Sequence, residues 1–162
     1  MFGKMLWEPS AKDQAGIMKP SEPFGFGLFR KMTAPLLSGA DAARHLELLR
    51  GARPLVHCLT NEVVQEITAN VLLAAGASPA MVVAEEEAGY FAGIAGGVLI
   101  NIGTPYPSRL RAMHASADAA RAAGRPWVLD PVAAGGIPWR DGIIREFVEK
   151  LSLIHISEPT RP

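Results

Sequence analysis

The stretch from Pro54 to Met81, PLVHCLTNEVVQEITANVLLAAGASPAM, contains the signals from which the fold is predicted. Leu55 to Leu59 is a short and mostly apolar run, which indicates a strand. Thr60 and Asn61 follow it, and their side-chain oxygens can accept hydrogen bonds from unpaired N–H groups at the start of a helix. The sequence therefore predicts a strand that is followed by a helix beginning at these two residues.

Apolar residues recur at helical spacing after this turn, and they predict one apolar face on the helix. They are Val63, Ile67, Val71 and Ala74, extended by Val64, Leu72 and Ala75. Gly76 can adopt the left-handed conformation that ends a helix. Ala80 to Val83 then predicts a second strand, so the stretch forms a strand, a helix and a strand.

The same alternation continues on both sides of this stretch. In chain order, the further predictions are a short helix capped by Ser38 or Asp41, a helix from the acidic cluster Glu85 to Glu87 that stops at Gly96 and Gly97, a strand over Val98 to Ile102, a helix from Pro107 and Ser108 to Gly124, a strand over Trp127 to Leu129, and a last helix marked by Ile143 to Val148. Apolar strands that alternate with helices imply right-handed crossovers. The predicted fold class is α/β, with a parallel sheet covered by helices on both faces.

Composition and charge exclude several classes of function. The 162 residues are 49% hydrophobic, and 16 basic residues balance 16 acidic ones, so we expect neither nucleic acid nor a membrane surface as a partner. The longest apolar stretch, Val71 to Ala84, is too short to span a bilayer. Cys58 is the only cysteine, which rules out an internal disulfide and favours a cytoplasmic location.

Polar residues follow the predicted strands where ligands bind in open α/β sheets, beyond the carboxyl ends. They are Thr60 and Asn61, Glu85, Asn101, Gly103 and Thr104, and Asp130. Each also has a local explanation. Asn61 can be a helix cap, Asn101 a satisfied core amide and Asp130 a turn residue before Pro131. Their common location favours a binding site over these separate roles.

Several other kinds of site are excluded by spacing. The chain has no GxxxxGK[ST] phosphate loop and no GxSxG nucleophile elbow, and its four histidines lack metal-ligand spacing. His57 and Cys58 are adjacent in a predicted strand, so they point to opposite faces and cannot form a nucleophile and base pair. Core packing is the expected role of Cys58, and Met81 by itself would also be assigned to the core.

A resemblance to a known family is carried by the stretch PLVHCLTNEVVQEITANVLLAAGASPAMVVAEEEA and, further on and in the same order, by LINIGT and PWVLDPVAAG. The chain resembles the hydroxyethylthiazole kinase family from Met32 to about Lys150. The resemblance implies a ribokinase-like fold, truncated here to its N-terminal half. It also implies a homotrimer with active sites between subunits. The implied reaction is the phosphorylation of 4-methyl-5-(2-hydroxyethyl)thiazole by ATP and Mg²⁺ in thiamine salvage.

The resemblance also implies roles for three residues. Asn61 and Met81 match the thiazole pocket of the family, and Asp130 matches an acidic residue that helps to hold Mg²⁺, through water, and the phosphates. The family's nucleotide-contacting arginines, second acidic residue and glycine-rich anion hole lie downstream of the matched part. We therefore expect no catalytic residue in this chain and no activity from it alone.

Two alternatives to this function stay open at the level of sequence. One is another ribokinase-like small-molecule kinase or a related dehydratase, against which the TN and ASPAM blocks argue. The other is a non-catalytic binding or assembly module.

Three segments are predicted along the chain. Residues 1–31 are interrupted by Pro and Gly and form a weakly ordered leader, with Met32 as an alternative natural start. Residues 32–150 form the N-terminal part of the kinase domain. The final LSLIHISEPTRP, Leu151 to Pro162, resembles the translation of a transposase adapter and is interpreted as a cloning scar without a structural role.

Overall fold

The structure is a computed structural model, and it describes residues 38–150. The predicted leader, 1–31, and the predicted tail, 151–162, lie outside the described residues. The described elements are α1 (Gly39–Ala52), β1 (Leu55–Leu59), α2 (Gln65–Ala75), β2 (Ser78–Ala80), α3 (Glu85–Ile94), β3 (Gly97–Asn101), α4 (Pro107–Ala122), β4 (Trp127–Asp130) and α5 (Pro138–Lys150).

The four described strands form one sheet in the order β2-β1-β3-β4, and all three neighbouring pairs are parallel. A helix connects each strand to the next along the chain, as parallel neighbours require. The predicted α/β class with a parallel sheet is confirmed. The carboxyl ends of all four strands consequently lie at the same edge of the sheet.

One face of the sheet is packed against helices. Its buried residues are His57, Leu59, Val98, Ile100, Trp127 and Leu129. Phe91 of α3 contacts the His57 ring, with the ring centroids 5.5 Å apart, and Phe147 of α5 contacts the Trp127 ring at 6.4 Å. Both pairs are edge-to-face, which is a favourable geometry for aromatic rings. This face and its helices form the core of the described residues.

The other face of the sheet carries α2 and an open apolar groove of about 490 Å³. Val56, Leu99 and Val128 supply its sheet side, and Ile67 and Val71 of α2 supply its helix side. Ile67 and Val71 are each 58% exposed, and no residue of α2 is buried. The predicted apolar face of this helix is present, but in the described part of the chain it is not covered.

Of the two alternative caps predicted for the first helix, Ser38 is the N-cap, and Asp41 lies inside the helix as its third residue. The Ser38 hydroxyl accepts a hydrogen bond from the Asp41 N–H at 3.1 Å, and the Asp41 carboxylate accepts one from the Ser38 N–H at 3.1 Å. This reciprocal arrangement is a capping box, which satisfies two N–H groups at the helix start.

The bounds of the second strand were predicted wrongly. Pairing between β1 and β2 ends at His57 and Ala80, so the strand is Ser78–Ala80 and not Ala80–Val83. Beyond this point the backbone carbonyl of Val82 accepts a 2.7 Å hydrogen bond from His57 Nε2. The Val82 carbonyl is thus paired with a side chain of β1 instead of with its backbone. Met81 lies just after the strand.

Two glycines, Gly76 and Gly97, were predicted to end helices, and one of them does so. Gly76 has φ 101° and ends α2, as predicted, because only glycine adopts this conformation without strain. Gly97 was predicted to stop the third helix, but α3 already ends at Ile94 and Gly97 pairs with Val56 as the first residue of β3.

Candidate functional site

Asn61 organises the turn between β1 and α2. Its Oδ1 atom accepts hydrogen bonds from the N–H groups of Val63 and Val64, each at 3.0 Å. The helix was predicted to begin at Thr60 and Asn61, but it begins only at Gln65, and its N-cap residue is Val64, which makes no side-chain capping bond. Asn61 therefore stabilises the turn before the helix and is not its N-cap. Thr60 does not cap the helix, since its hydroxyl donates to the Asn61 carbonyl at 2.9 Å.

A chain of side-chain hydrogen bonds links three of the predicted residues. Asn61 Nδ2 donates to Asn101 Oδ1 at 3.1 Å, and Asn101 Nδ2 donates to Asp130 Oδ2 at 2.7 Å. Asn101 and Asp130 are register partners on β3 and β4, so their side chains leave the sheet on the same face. We call this chain the asparagine relay, and it brings Asn61 and Asp130 into one hydrogen-bonded group.

The loop after β3 packs directly on the relay. The Gly103 N–H donates to Asn101 Oδ1 at 2.9 Å, and the N–H of Glu62 donates to the Thr104 hydroxyl at 3.3 Å. Gly103 thus contacts the last residue of β3, and Thr104 contacts the turn after β1. Both residues therefore lie close to Asn61 and Asn101 at the carboxyl edge of the sheet.

Two arginines that sequence reasoning missed hold the backbone of these loops. Arg109 of α4 is buried and donates from Nη1 to the Thr60 carbonyl. Arg140 of α5 donates to the carbonyls of Ile102 at 2.9 Å and Gly103 at 3.1 Å. One signal was available, because Arg109 lies four residues before Met113 and therefore shares its buried helix face.

Met81 and Glu85 are placed differently from the relay. Met81 is half-buried and follows β2, the strand beside β1, so it lies at the strand end adjacent to that of Asn61. Glu85 accepts a 2.7 Å hydrogen bond from Arg111 Nε in a surface ion pair. Glu85 is thus paired with an arginine of α4. Met81 lies near the asparagine relay only in the sense that its strand, β2, is next to β1.

His57 and Cys58 behave as core residues. Cys58 is fully buried, as expected, and burial raises the pKa of its thiol to about 11. Burial also lowers the pKa of His57, although the hydrogen bond to the Val82 carbonyl and the charge of Glu87 partly oppose this. His57 Nδ1 is buried and has no hydrogen-bond partner within residues 38–150. Neither residue is arranged as a nucleophile.

The part of the chain that the structure describes lacks two further features. Within residues 38–150, no three His, Cys, Asp or Glu residues are grouped so that they could hold a metal ion. Nor does any helix among these residues have the length and apolar character needed to cross a membrane.

Comparison with known proteins places these features in a family. The sequence profile of the hydroxyethylthiazole kinase family matches residues 46–157. A hydroxyethylthiazole kinase of Pectobacterium atrosepticum is 56% identical over 111 residues, which are 68% of this chain and 42% of that protein. One of Serratia proteamaculans is 60% identical over 102 residues, 63% of this chain and 39% of that protein.

A solved structure agrees with the sequence comparison. The hydroxyethylthiazole kinase of Pyrococcus horikoshii OT3 superposes with a TM-score of 0.64 at 44% identity, covering 66% of this chain and 42% of that one. The chain thus spans less than half the length of these relatives, and its fold is the ribokinase-like α/β fold that the resemblance implied. On the extent of the profile match and on this identity, the chain belongs to the hydroxyethylthiazole kinase family.

Proposed function

We propose that this chain is the N-terminal part of an enzyme that transfers a phosphoryl group from ATP to the hydroxyl of 4-methyl-5-(2-hydroxyethyl)thiazole, in thiamine salvage. Membership of the kinase family supports the reaction class. The relatives contain more than twice the matched length, so in this proposal the nucleotide side of the site is contributed by a downstream part. The 162-residue chain alone is accordingly inactive.

The observation that carries the proposal is the asparagine relay at the carboxyl ends of parallel strands. Asn61 Oδ1 already accepts two backbone hydrogen bonds, so a bound thiazole would be offered an N–H of this amide. Met81, at the next strand end, would supply a polarizable thioether against the heteroaromatic ring. This arrangement suits a small ligand that is apolar with one or two polar atoms.

Asp130 fits a water-mediated role in holding Mg²⁺. Magnesium takes few carboxylates, keeps several waters and binds phosphate oxygens, so one carboxylate at a strand end is a suitable donor set. Asn101 Nδ2 orients this carboxylate through its 2.7 Å hydrogen bond to Oδ2. When bound, the ion would neutralise charge that develops on the phosphoryl oxygens.

The remaining features of the proposal concern assembly and location. The family resemblance supports a homotrimer with sites between subunits. The zero net charge supports the absence of nucleic acid and membrane surfaces among its partners. The single buried cysteine supports a reducing, cytoplasmic location.

The test is to extend the chain with the downstream part of the Pectobacterium atrosepticum relative and to measure ATP-dependent formation of the thiazole phosphate. We expect activity from the extended protein and none from the 162-residue chain. Asn61→Ser keeps a capping hydroxyl but loses the amide, so it should raise KM for the thiazole about tenfold. Asp130→Ala should lower kcat about a hundredfold through lost charge stabilisation.

The control is Asp118→Asn, which removes a carboxylate that pairs with Lys150 on the surface at 2.9 Å. It should leave both kinetic constants within about twofold of the parent, because exposed ion pairs contribute little. Small and equal effects of the Asn61 and Asp130 variants on KM and kcat would reduce these residues to a helix cap and a turn residue.

A further inference from the structure

We infer that Asn101 is a positioning residue, which aligns the amide of Asn61 with the carboxylate of Asp130. Its importance for phosphoryl transfer rests on the proposed function. The hydrogen bonds that it makes do not depend on that proposal, and they can be tested in the chain without substrate. From the sequence, Asn101 was predicted as one of the polar residues at strand ends, with a satisfied core amide as the alternative.

The hydrogen bonds allow only one orientation for both amides. Asn61 Oδ1 accepts from two backbone N–H groups, so Nδ2 is the atom that faces Asn101. Asn101 Oδ1 must then be the acceptor, and it also accepts from the Gly103 N–H. Asn101 Nδ2 is consequently left to donate to Asp130. The orientation of each amide is fixed by backbone N–H groups, which can only donate hydrogen bonds.

Asn101 is also placed so that its loss would move its neighbours. It is only 6% exposed, and an unpaired polar group is costly in such surroundings. The turn that carries Asn61 is tied to the same region by the bond from Glu62 to Thr104. A displaced Asn101 would therefore shift both the turn after β1 and the loop after β3.

The functional consequence is that Asn101 fixes the position of Asn61 relative to Asp130. Asn61 follows β1 and Asp130 ends β4, and β3 with Asn101 lies between these strands. In the proposed enzyme, Asn61 holds the thiazole and Asp130 acts on the metal and phosphates. Asn101 would then set the position of the substrate hydroxyl relative to the phosphoryl group, a distance on which transfer rates depend steeply.

The first test follows the side-chain amide signals of the 162-residue chain by ¹⁵N NMR. Asp130→Asn removes the carboxylate two hydrogen bonds away from Asn61, and we expect the Asn61 Nδ2 signals to shift. The control Asp118→Asn should leave them in place. In an Asn101→Ala background, Asp130→Asn should no longer shift them. Unshifted Asn61 signals in a folded Asp130→Asn variant would overturn the inference.

The second test exchanges the partners of one hydrogen bond. Asn101→Asp alone sets two carboxylates side by side, so it should lower the urea midpoint of unfolding. Adding Asp130→Asn restores one donor and one acceptor, and the new carboxylate still accepts from Asn61 and Gly103. We expect the double variant to recover at least half of this loss. A double variant no more stable than Asn101→Asp alone would overturn the inference.

The exchange also separates a positioning role from a general stabilising role. In the extended kinase, the double variant should recover stability but not kcat, because the carboxylate has moved from β4 to β3. Asn101→Ala should lower kcat about tenfold with Asp130 intact. A wild-type chain whose Asn101 amide hydrogens exchange as fast as those of free asparagine would overturn the inference directly.

Failure of the inference and failure of the proposed function give different results. If the extended protein does not phosphorylate the thiazole but the partner exchange rescues stability, only the proposed function fails. If phosphorylation occurs but the Asn61 signals ignore Asp130 and the exchange does not rescue, only the role of Asn101 fails.

Discussion

Gly103 lies so close to Asn61 that a Cβ at position 103 would stand 2.7 Å from Asn61 Cβ and 2.9 Å from Asn101 Oδ1. Gly103→Ala must therefore push apart two residues that are themselves held by hydrogen bonds. We expect it to lower the free energy of unfolding by about 1–3 kcal/mol, the usual range for an overpacked site. Urea denaturation of the 162-residue chain measures this loss.

The matched control is Gly142→Ala in α5. Among residues 38–150, no atom outside the helix's own backbone lies within 4 Å of a Cβ added at Gly142, and an exposed helix interior favours alanine over glycine. This control should raise the free energy of unfolding by about 0.5–1 kcal/mol. Stabilisation by both changes would show that the loop after β3 can move away from Asn61.

The stability of the chain should fall as the pH is lowered, because two histidines have depressed pKa values. Burial lowers the pKa of His57 and of His114 below 6.5 in the folded state. Below pH 6.5 the unfolded chain therefore binds more protons than the folded chain. The stability contributed by the neutral rings is present above pH 6.5 and is lost as the pH falls through their folded pKa values.

His57 should account for a measurable part of this pH dependence. Its Nε2–H donates to Val82, and protonation would add an N–H at Nδ1, where the described residues provide no acceptor. Each such group can contribute a slope of up to about 1.4 kcal/mol per pH unit. We expect His57→Gln to weaken the pH dependence of the free energy of unfolding between pH 7 and 5, as measured by urea denaturation at a series of pH values.

The Cys58 thiol should be unreactive in the folded chain. It is fully buried, and with its pKa raised to about 11 only about one part in a thousand is thiolate at pH 8. We expect a chromogenic disulfide reagent to label the chain at pH 8 only in denaturant. Complete labelling within seconds under native conditions would show that β1 opens readily.

The open apolar groove should cause the chain to associate. Ile67 and Val71 are each 58% exposed beside the uncovered sheet face, and large exposed apolar patches favour association. Changing both to lysine should reduce the apparent mass in light scattering at equal concentration. Tyr90→Lys, at an exposed position of α3, is the control and should change it little. A compact monomer for the parent chain would contradict this prediction.

The sequence by itself determined the α/β class and most of the element positions. Periodicity, caps and helix-ending residues act over a few positions along the chain, so β1 was predicted at its observed bounds and α3 and α4 begin at Glu85 and Pro107 as predicted. Asn61 was likewise recognised from its neighbours as an acceptor for unpaired N–H groups after β1, although these belong to the turn before α2 and not to the helix itself.

Only the tertiary structure decided how the site is joined. Asn61 and Asn101 are 40 residues apart, and Asn101 and Asp130 are 29 apart, so their contacts depend on the order and register of three strands. The same holds for Arg109, which crosses from α4 to the carbonyl of Thr60. The local pattern placed the polar residues at one edge of the sheet, but strand order and register depend on packing across all the strands, and they decided which of these side chains are hydrogen-bonded to each other.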